Sequence, residues 1–206
     1  MQQPRSVRAL EAFGRVRLSE SFFMRDFLYS EIAAINGFQN IPGDPDLAIA
    51  AGTQLCETLL EPLQAQFGRI SVRSAFRSTE VNGFGNAHNL NCASNPKNYA
   101  GHTWDHRDAQ GHMGATACVV VNRFIPYYAR TGDWEAMAWW VHDHLPYADM
   151  EFFPNYAAFN LQWHEAPART IYSYIPPRRG RLTAPDKPNW AERHDDASTA
   201  LLTELG

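Results

Sequence analysis

Apolar residues in the first part of the chain recur with the period of a helix. Over residues 47–67 they fall every four positions, which predicts a helix that buries one side. The residues on that side are Leu47, Ala51, Leu55, Leu59, Leu63 and Phe67. Pro62 predicts a kink or a restart immediately before it, and Gly68 predicts the end of the helix. A mixed apolar and charged stretch at 22–35, followed by Gly37, predicts an earlier helix.

Alternating and continuous apolar runs later in the chain predict strands. Residues 70–76 alternate apolar and polar side chains, as a half-buried strand does. Residues 115–121 are continuously apolar, which predicts a central strand buried on both faces. Shorter strands are predicted at 150–153, 159–164 and 170–175, and a helix is predicted at 134–144. This order favours an α+β fold with a small, mostly antiparallel sheet and the N-terminal helices packed on one side of it.

Two stretches lack such patterns and define the expected organisation. Residues 82–111 are rich in Asn, Gly, His and Asp, and a structureless loop of that length is uncommon unless it is functional. Clustered prolines from residue 176 onward predict an extended arm over 176–206. We therefore expect an N-terminal segment at 1–17, a domain at 18–175 with a loop inserted at 83–111, and the arm.

Composition narrows the classes of function. The chain has 206 residues, enough to bury a core without the help of a metal or a disulfide. A net charge of −4 argues against nucleic-acid binding, because phosphate contacts need clustered positive charge. Charged residues make up only 19%, which favours an uncharged contact surface. We find no apolar run of membrane-spanning or signal-peptide length, so we expect synthesis in the cytoplasm and no membrane span.

Histidines are the main candidates for chemistry, with eight in the chain. Four of them lie at 88–112, together with Asp105 and Asp108. Imidazole and carboxylate are the usual ligands of a catalytic zinc, which keeps one position open for water. The alternative is a polar loop whose side chains hydrogen-bond to its own backbone. His142 and His144 lie at a predicted helix end, where the helix dipole favours a His side chain without any catalytic role.

Two further candidates lie on or beside predicted strands. His164 shares one side of its strand with Asn160 and Gln162, and this polar side lines either a cleft or the solvent edge of a sheet. Arg77 follows the strand at 70–76, where its guanidinium can bind a carboxylate of a substrate or of a neighbouring side chain.

Four motifs occur in order in the first part of the chain. They are LSESFFMRDF at 18–27, NIP at 40–42, LEPLQAQFG at 60–68 and SAFRSTEVN at 74–82. In order and spacing they resemble the zinc D-Ala-D-Ala carboxypeptidases of the M15 type and related phage endolysins. The likeness covers residues 18–82 and resumes on the strand at 115–121 and at His164. It implies an M15- or hedgehog-like fold, and it implies a zinc site.

Within this resemblance, His164 matches the late His ligand of the family's zinc site. A Glu three residues earlier serves as the base in some members, and Leu161 stands there in this chain. The family's other ligands are a His and an Asp in the pattern SxHxxGxAxD, and no register keeps both. The three registers place His112 with Val119, Gly111 with Cys118, or His88 with Asn95 at the two ligand positions.

The first hypothesis is therefore a catalytically degenerate M15-like module that needs no metal. It would serve as a structural or recognition component that binds peptidoglycan or a surface glycan, in a phage or phage-like particle that carries it out of the cell. The arm at 176–206 would bind a second copy or another particle protein, as segments that order on binding do.

The alternative hypothesis is an active zinc peptidase that cleaves peptidoglycan stem peptides. Zinc would bind His164 and two of a set of nearby candidates, and Arg77 would hold the substrate carboxylate. The candidate ligands are His102, Asp105, Asp108 and His112. Glu151 or Glu165 would then act as the base.

Overall fold

Six strands form one sheet in the computed structural model, which describes residues 1–205. The strands are Ile70–Ser74 (β1), Gly114–Val121 (β2), Asp149–Phe152 (β3), Phe159–His164 (β4), Thr170–Ser173 (β5) and Gly180–Thr183 (β6). Their order in the sheet is β1-β2-β4-β3-β5-β6, and all neighbours are antiparallel except β3 and β5. The predicted α+β class and the mostly antiparallel sheet are confirmed, as are the strands expected at 115–121 and 159–164.

Helices surround this sheet. They are Val7–Gly14 (α1), Glu31–Asn36 (α2), Pro45–Leu55 (α3), Glu61–Phe67 (α4), Thr79–Ala87 (α5), Asn95–Asn98 (α6), Phe124–Thr131 (α7), Glu135–His144 (α8) and Asp195–Leu205 (α9). Short 3₁₀ turns lie at Met24–Phe27, Asn155–Ala157 and Pro188–Trp190. Among residues 1–205, no helix combines the length and the apolar character that crossing a membrane requires.

The helix predicted over 47–67 is confirmed, and it changes its winding before the proline. α3 and α4 are joined by a π-helical turn at Cys56–Leu60. Because Pro62 has no N–H to donate and its ring crowds the preceding turn, a wider turn relieves the clash. The Asp44 side chain accepts the N–H of Leu47 at 3.1 Å and begins α3.

The two faces of the sheet differ in what covers them. On β2, alternate side chains from Ala115 to Val121 enter the main core, against which α3 packs. On the neighbouring strand, Phe159 and Leu161 enter the same core. The alternation turns the other residues of β2 and β4 to the opposite face. These residues are Thr116, Cys118, Val120, Asn160, Gln162 and His164. The polar candidates of β4 therefore share one face of the sheet, as the sequence predicts.

The helix predicted over 22–35 is divided in the structure. A 3₁₀ turn occupies Met24–Phe27, and α2 begins only after Ser30. The Ser30 hydroxyl accepts the N–H of Ala33 at 3.3 Å, which makes it the N-cap of a separate helix. The predicted end is confirmed, since Gly37 closes α2 with a φ of 72°.

The stretch at 82–111 is not structureless, contrary to the prediction. The end of α5 and the whole of α6 lie in it, and asparagine side chains hold the two helices together. The Asn82 side chain donates to Asn95 Oδ1 at 2.8 Å and accepts from Asn98 Nδ2 at 2.6 Å. Because this contact is polar, an apolar period could not reveal the helices.

The prediction of an extended arm is wrong for residues 176–205. β6 pairs with β5 and extends the sheet, and α9 packs against α8. Leu201 and Leu205 on α9 are buried in the main core. Burial of these leucines and pairing of the β5 edge stabilise the folded arrangement over an extended one.

Candidate functional site

A short segment crosses the polar face of the sheet and divides it. Thr116 N donates to the Gly101 carbonyl at 3.0 Å, and Gln162 Nε2 donates to the Ala100 carbonyl at 2.8 Å. We call residues 100–102 the crossing segment. Gly114 allows the close approach, because a Cβ there would lie 2.2 Å from the Ala100 oxygen.

A group of possible metal ligands lies at the end of β4, where His164 is paired with Gly114. Ligand atoms of Asp108, His112 and His164 all lie within 4.8 Å of one another. Asp108 Oδ2 is 3.2 Å from His164 Nε2 and 3.4 Å from His112 Nδ1. A tetrahedral zinc with bonds of about 2.0–2.1 Å separates its ligand atoms by about 3.3–3.4 Å. The donor set and its spacing therefore fit a zinc ion held by three side chains, and we call these residues the open group.

The Asp108 carboxylate is oriented by the turn that contains it. Its Oδ1 accepts the N–H of Gln110 at 2.9 Å and the N–H of His112 at 2.8 Å, which leaves Oδ2 for a ligand. Desolvation acts to raise the pKa of Asp108, but the hydrogen bonds from His112 and Gln110 outweigh it and lower that pKa below the usual value. Asp108 is thus ionised at neutral pH, as metal binding requires.

The His164 ring has a backbone hydrogen-bond partner for each of its two neutral tautomers. Nδ1 lies 3.2 Å from the Ala166 carbonyl oxygen and 3.0 Å from the Ala166 nitrogen. When Nδ1–H donates to the carbonyl, Nε2 offers its lone pair to a metal. When Nδ1 accepts from the nitrogen, Nε2–H donates to Asp108. The His164 ring therefore has a hydrogen-bond partner in this position whether or not a metal is bound.

The two candidate bases lie in different places. Glu165 follows His164 directly, and its Oε2 accepts the N–H of Met113 at 2.7 Å and lies 3.5 Å from Arg107 Nη1. Glu151 on β3 accepts from Asn160 Nδ2 at 2.9 Å, and Asn160 lies four residues before His164 on β4. Of these two carboxylates, only Glu165 is adjacent to the open group.

His102 and Asp105, the other two candidate ligands, do not join the open group. His102 is buried, and its ring Nδ1 lies 2.7 Å from the Ala75 carbonyl oxygen. Burial, helped by the charge of Arg77, lowers the pKa of His102 to about 3, so the ring is neutral. Asp105 accepts the N–H of Gly43 at 2.7 Å and lies 3.1 Å from His106 Nδ1. Both side chains have structural partners in the fold.

A cleft opens on the polar face around the Cys118–Asn160 pair. Its volume is about 750 Å³, and its lining includes Arg73, Arg77, His102, Cys118, Glu151, Asn160 and Tyr174. None of the residues of the open group lines it. Arg77 Nη1 contacts Cys92 Sγ at 3.3 Å, and within residues 1–205 no carboxylate lies within ion-pair distance of Arg77. The structure thus places the candidate substrate-binding arginine in the cleft and the possible metal ligands outside it.

In the sequence, Asp108 is one of four candidate metal ligands, although a local sequence signal distinguishes it from the other three. An aspartate three residues before Gly111 is typical of a turn in which the carboxylate accepts backbone N–H groups. Gly111 has a φ of 89°, which favours glycine. That turn brings His112 back to Asp108.

Comparison with models of known protein families, with curated proteins and with solved structures finds no match to this chain. The resemblance to the M15 peptidases therefore stands on the motifs in the sequence, and the geometry of the open group stands on the structure.

Proposed function

We propose that the chain is a zinc-dependent hydrolase that cleaves amide bonds in cell-envelope peptides, such as the stem peptides of peptidoglycan. The convergence of Asp108, His112 and His164 on one point supports this proposal. No register of the family pattern retains a His together with an Asp, yet Asp108 supplies the carboxylate from four residues before His112. The set has the composition of the family's site, two His and one Asp, in a different order along the chain.

The chain's own residues have distinct parts in such a reaction. Bound zinc supplies Lewis-acid chemistry to the carbonyl of the scissile amide. Glu165 is held through Oε2 by the N–H of Met113 and by Arg107. Its Oε1 has no hydrogen-bond partner within residues 1–205 and is the proposed acceptor of a proton from the attacking water. Glu165 would pass that proton to the amine that leaves as the C–N bond breaks.

The cleft supplies the proposed binding site for the rest of the substrate. Arg77, which has no carboxylate partner among residues 1–205, would bind a carboxylate of the peptide. A substrate that reaches both Arg77 and the open group has to pass over the crossing segment at 100–102. This geometry favours an extended peptide over a single amino acid.

The test measures zinc content and hydrolysis in protein purified without chelator. His164→Ala should lose one equivalent of zinc and all release of product from a digest of peptidoglycan. The matched control is His88→Ala, because His88 is exposed and contacts Phe84 of its own helix, through the carbonyl and by ring stacking. Wild-type protein that binds no zinc sensitive to His164→Ala would overturn the proposal.

The separation of the cleft from the open group favours a second candidate, a recognition module without catalysis. In that case the cleft with Arg77 binds the envelope polymer, and the open group has no catalytic part. Sedimentation with insoluble peptidoglycan would then detect binding that Arg77→Ala weakens and His164→Ala does not, with no product released by any form. Product release by the wild type excludes this candidate.

A further inference from the structure

A second cluster of imidazole and carboxylate groups lies where the C-terminal segment meets α8. His142 and Asp143 occupy the last turn of α8, and His194 directly precedes α9. The ligand atoms of these three residues lie within 4.8 Å of one another. We call them the closed group. It shares no residue with the open group.

The contacts between Asp143 and His194 have the spacing of metal ligands. Asp143 Oδ2 accepts the backbone N–H of His194 at 2.6 Å, which fixes the carboxylate. Asp143 Oδ1 lies 3.3 Å from His194 Nδ1. This separation equals the edge of about 3.3–3.4 Å expected between two ligands of a tetrahedral zinc.

One ring nitrogen in the closed group has no partner. His194 Nε2 is buried and makes no hydrogen bond within residues 1–205. The Trp139 indole stacks on the His194 ring with centroids 3.6 Å apart, so it covers one face of that ring. Buried polar atoms almost always have a partner, and the second ring nitrogen of a metal-binding histidine donates to one. A water at Nε2 would therefore complete the support of a metal bound at Nδ1, the nitrogen that faces Asp143.

His142 is oriented as a metal-binding histidine would be. Its Nδ1 lies 2.7 Å from Tyr147 Oη, and its Nε2 lies 3.0 Å from the Trp190 carbonyl oxygen. If Nδ1–H donates to Tyr147, Nε2 offers its lone pair to a metal, and a hydrogen-bonded second nitrogen is the usual support of such a ligand. In the metal-free form, Nε2–H donates to Trp190 instead.

We propose that His142, Asp143 and His194 form a second zinc site, which fastens the C-terminal segment to α8. Two of its ligands come from the helix, and the third, His194, comes from the segment that leads into α9. Metal binding therefore couples the position of residue 194 to α8 and slows opening of this part of the fold. The site is structural, because its side chains are largely enclosed and none of them lines the cleft proposed to bind substrate.

The first measurement is the number of zinc ions bound by each variant after dialysis against zinc. The two groups predict two zinc ions in the wild type and one in His194→Gln. They predict one in His164→Ala and none in the double variant. The control is His144→Gln, since His144 lies on the same helix end but outside the closed group.

The second measurement follows trypsin cleavage after Arg193, the residue before His194. Zinc should slow this cleavage about tenfold in the wild type and leave the rate in His194→Gln unchanged. Cleavage after Arg178 and Arg179, in the loop before β6, is the internal control and should not respond to zinc.

Titration of metal-free His164→Ala protein with zinc, followed by calorimetry, tests the site without altering the closed group. One bound zinc supports the proposal, and the absence of binding overturns it even if His194→Gln fails to fold. The failures of the two sites are distinguishable. A zinc that only His194→Gln removes would sink the hydrolase and keep the second site, and a zinc that only His164→Ala removes would do the reverse.

Discussion

The open and closed groups contain the same side chains, two His and one Asp each, but differ in how far solvent reaches them. In the open group, the side chains of His112, Asp108 and His164 are 39%, 19% and 14% exposed. In the closed group, the side chains of His194 and Asp143 are 12% and 2% exposed, and His142 is 3% exposed. Catalytic zinc sites keep a position accessible to water, whereas structural sites are closed. The comparison shows that burial, more than ligand type, separates the two proposed roles.

The largest expected effect concerns the carboxylate beside the open group. Glu165→Gln removes the proposed proton acceptor but keeps a side-chain oxygen that can accept the N–H of Met113. We expect kcat for peptide hydrolysis to fall by about 10²–10⁴-fold while the zinc content is unchanged. Steady-state kinetics and metal analysis measure the two quantities. Glu20→Gln, at an exposed position outside both groups, is the control, and equal activity of both variants would exclude Glu165 from the reaction.

The next effect tests which contacts, other than a bound metal, hold the C-terminal segment in place. Leu201 on α9 is fully buried in the main core, and Leu202 is only partly buried. Leu201→Ala should lower the free energy of unfolding by about 2–5 kcal/mol, and Leu202→Ala should cost less. Urea denaturation in the presence of a chelator measures both. Equal, small effects would mean that α9 leaves the core in solution.

A smaller difference should appear in the rates at which the groups release metal. The closed group can release zinc only when the segment around residue 194 opens, whereas the open group is accessible from solvent. We therefore expect a chelator to remove zinc from the open group about tenfold faster or more. A colorimetric chelator resolves the two phases, and His164→Ala should delete the fast phase. Loss of the slow phase in that variant would reverse the assignment.

The smallest expected effect is on the stability of the metal-free turn at Asp108. The folded-state pKa of Asp108 is lowered, so its ionised form stabilises the fold above the unfolded-state pKa. That contribution disappears as the pH falls through the lowered pKa. Asp108→Asn in chelator should therefore lower Tm slightly at pH 7, and the two melting temperatures should converge in strong acid. A difference in Tm that persists in strong acid would contradict this origin.

Strong apolar patterns made the main elements predictable. The stripe over 47–67 and the run at 115–121 bury large areas, so tertiary contacts reinforce the local preference. The pair α5 and α6 escaped prediction because Asn82 and its partners replace an apolar contact by hydrogen bonds. Prolines from residue 176 onward favoured an extended chain, and the two buried leucines of α9 are too few to show a period.

The two candidate metal groups were predictable from sequence only where a local turn joins their residues. His164 stood out by its strand position, and a turn of five residues brings His112 to Asp108. His194 lies 51 residues from Asp143, and no spacing rule joins them. Such a pair depends on how the C-terminal segment folds back, which local patterns do not encode.

The crossing segment at 100–102 contacts both halves of the polar face. His102 lines the cleft and accepts the Arg77 backbone N–H at 2.8 Å, while the Ala100 carbonyl packs on Gly114 opposite His164. A ligand in the cleft that displaces this segment would also shift the strand pair that carries His164, a proposed zinc ligand. Thermodynamic reciprocity then requires zinc to change the affinity of that ligand by the same factor by which the ligand changes the affinity for zinc.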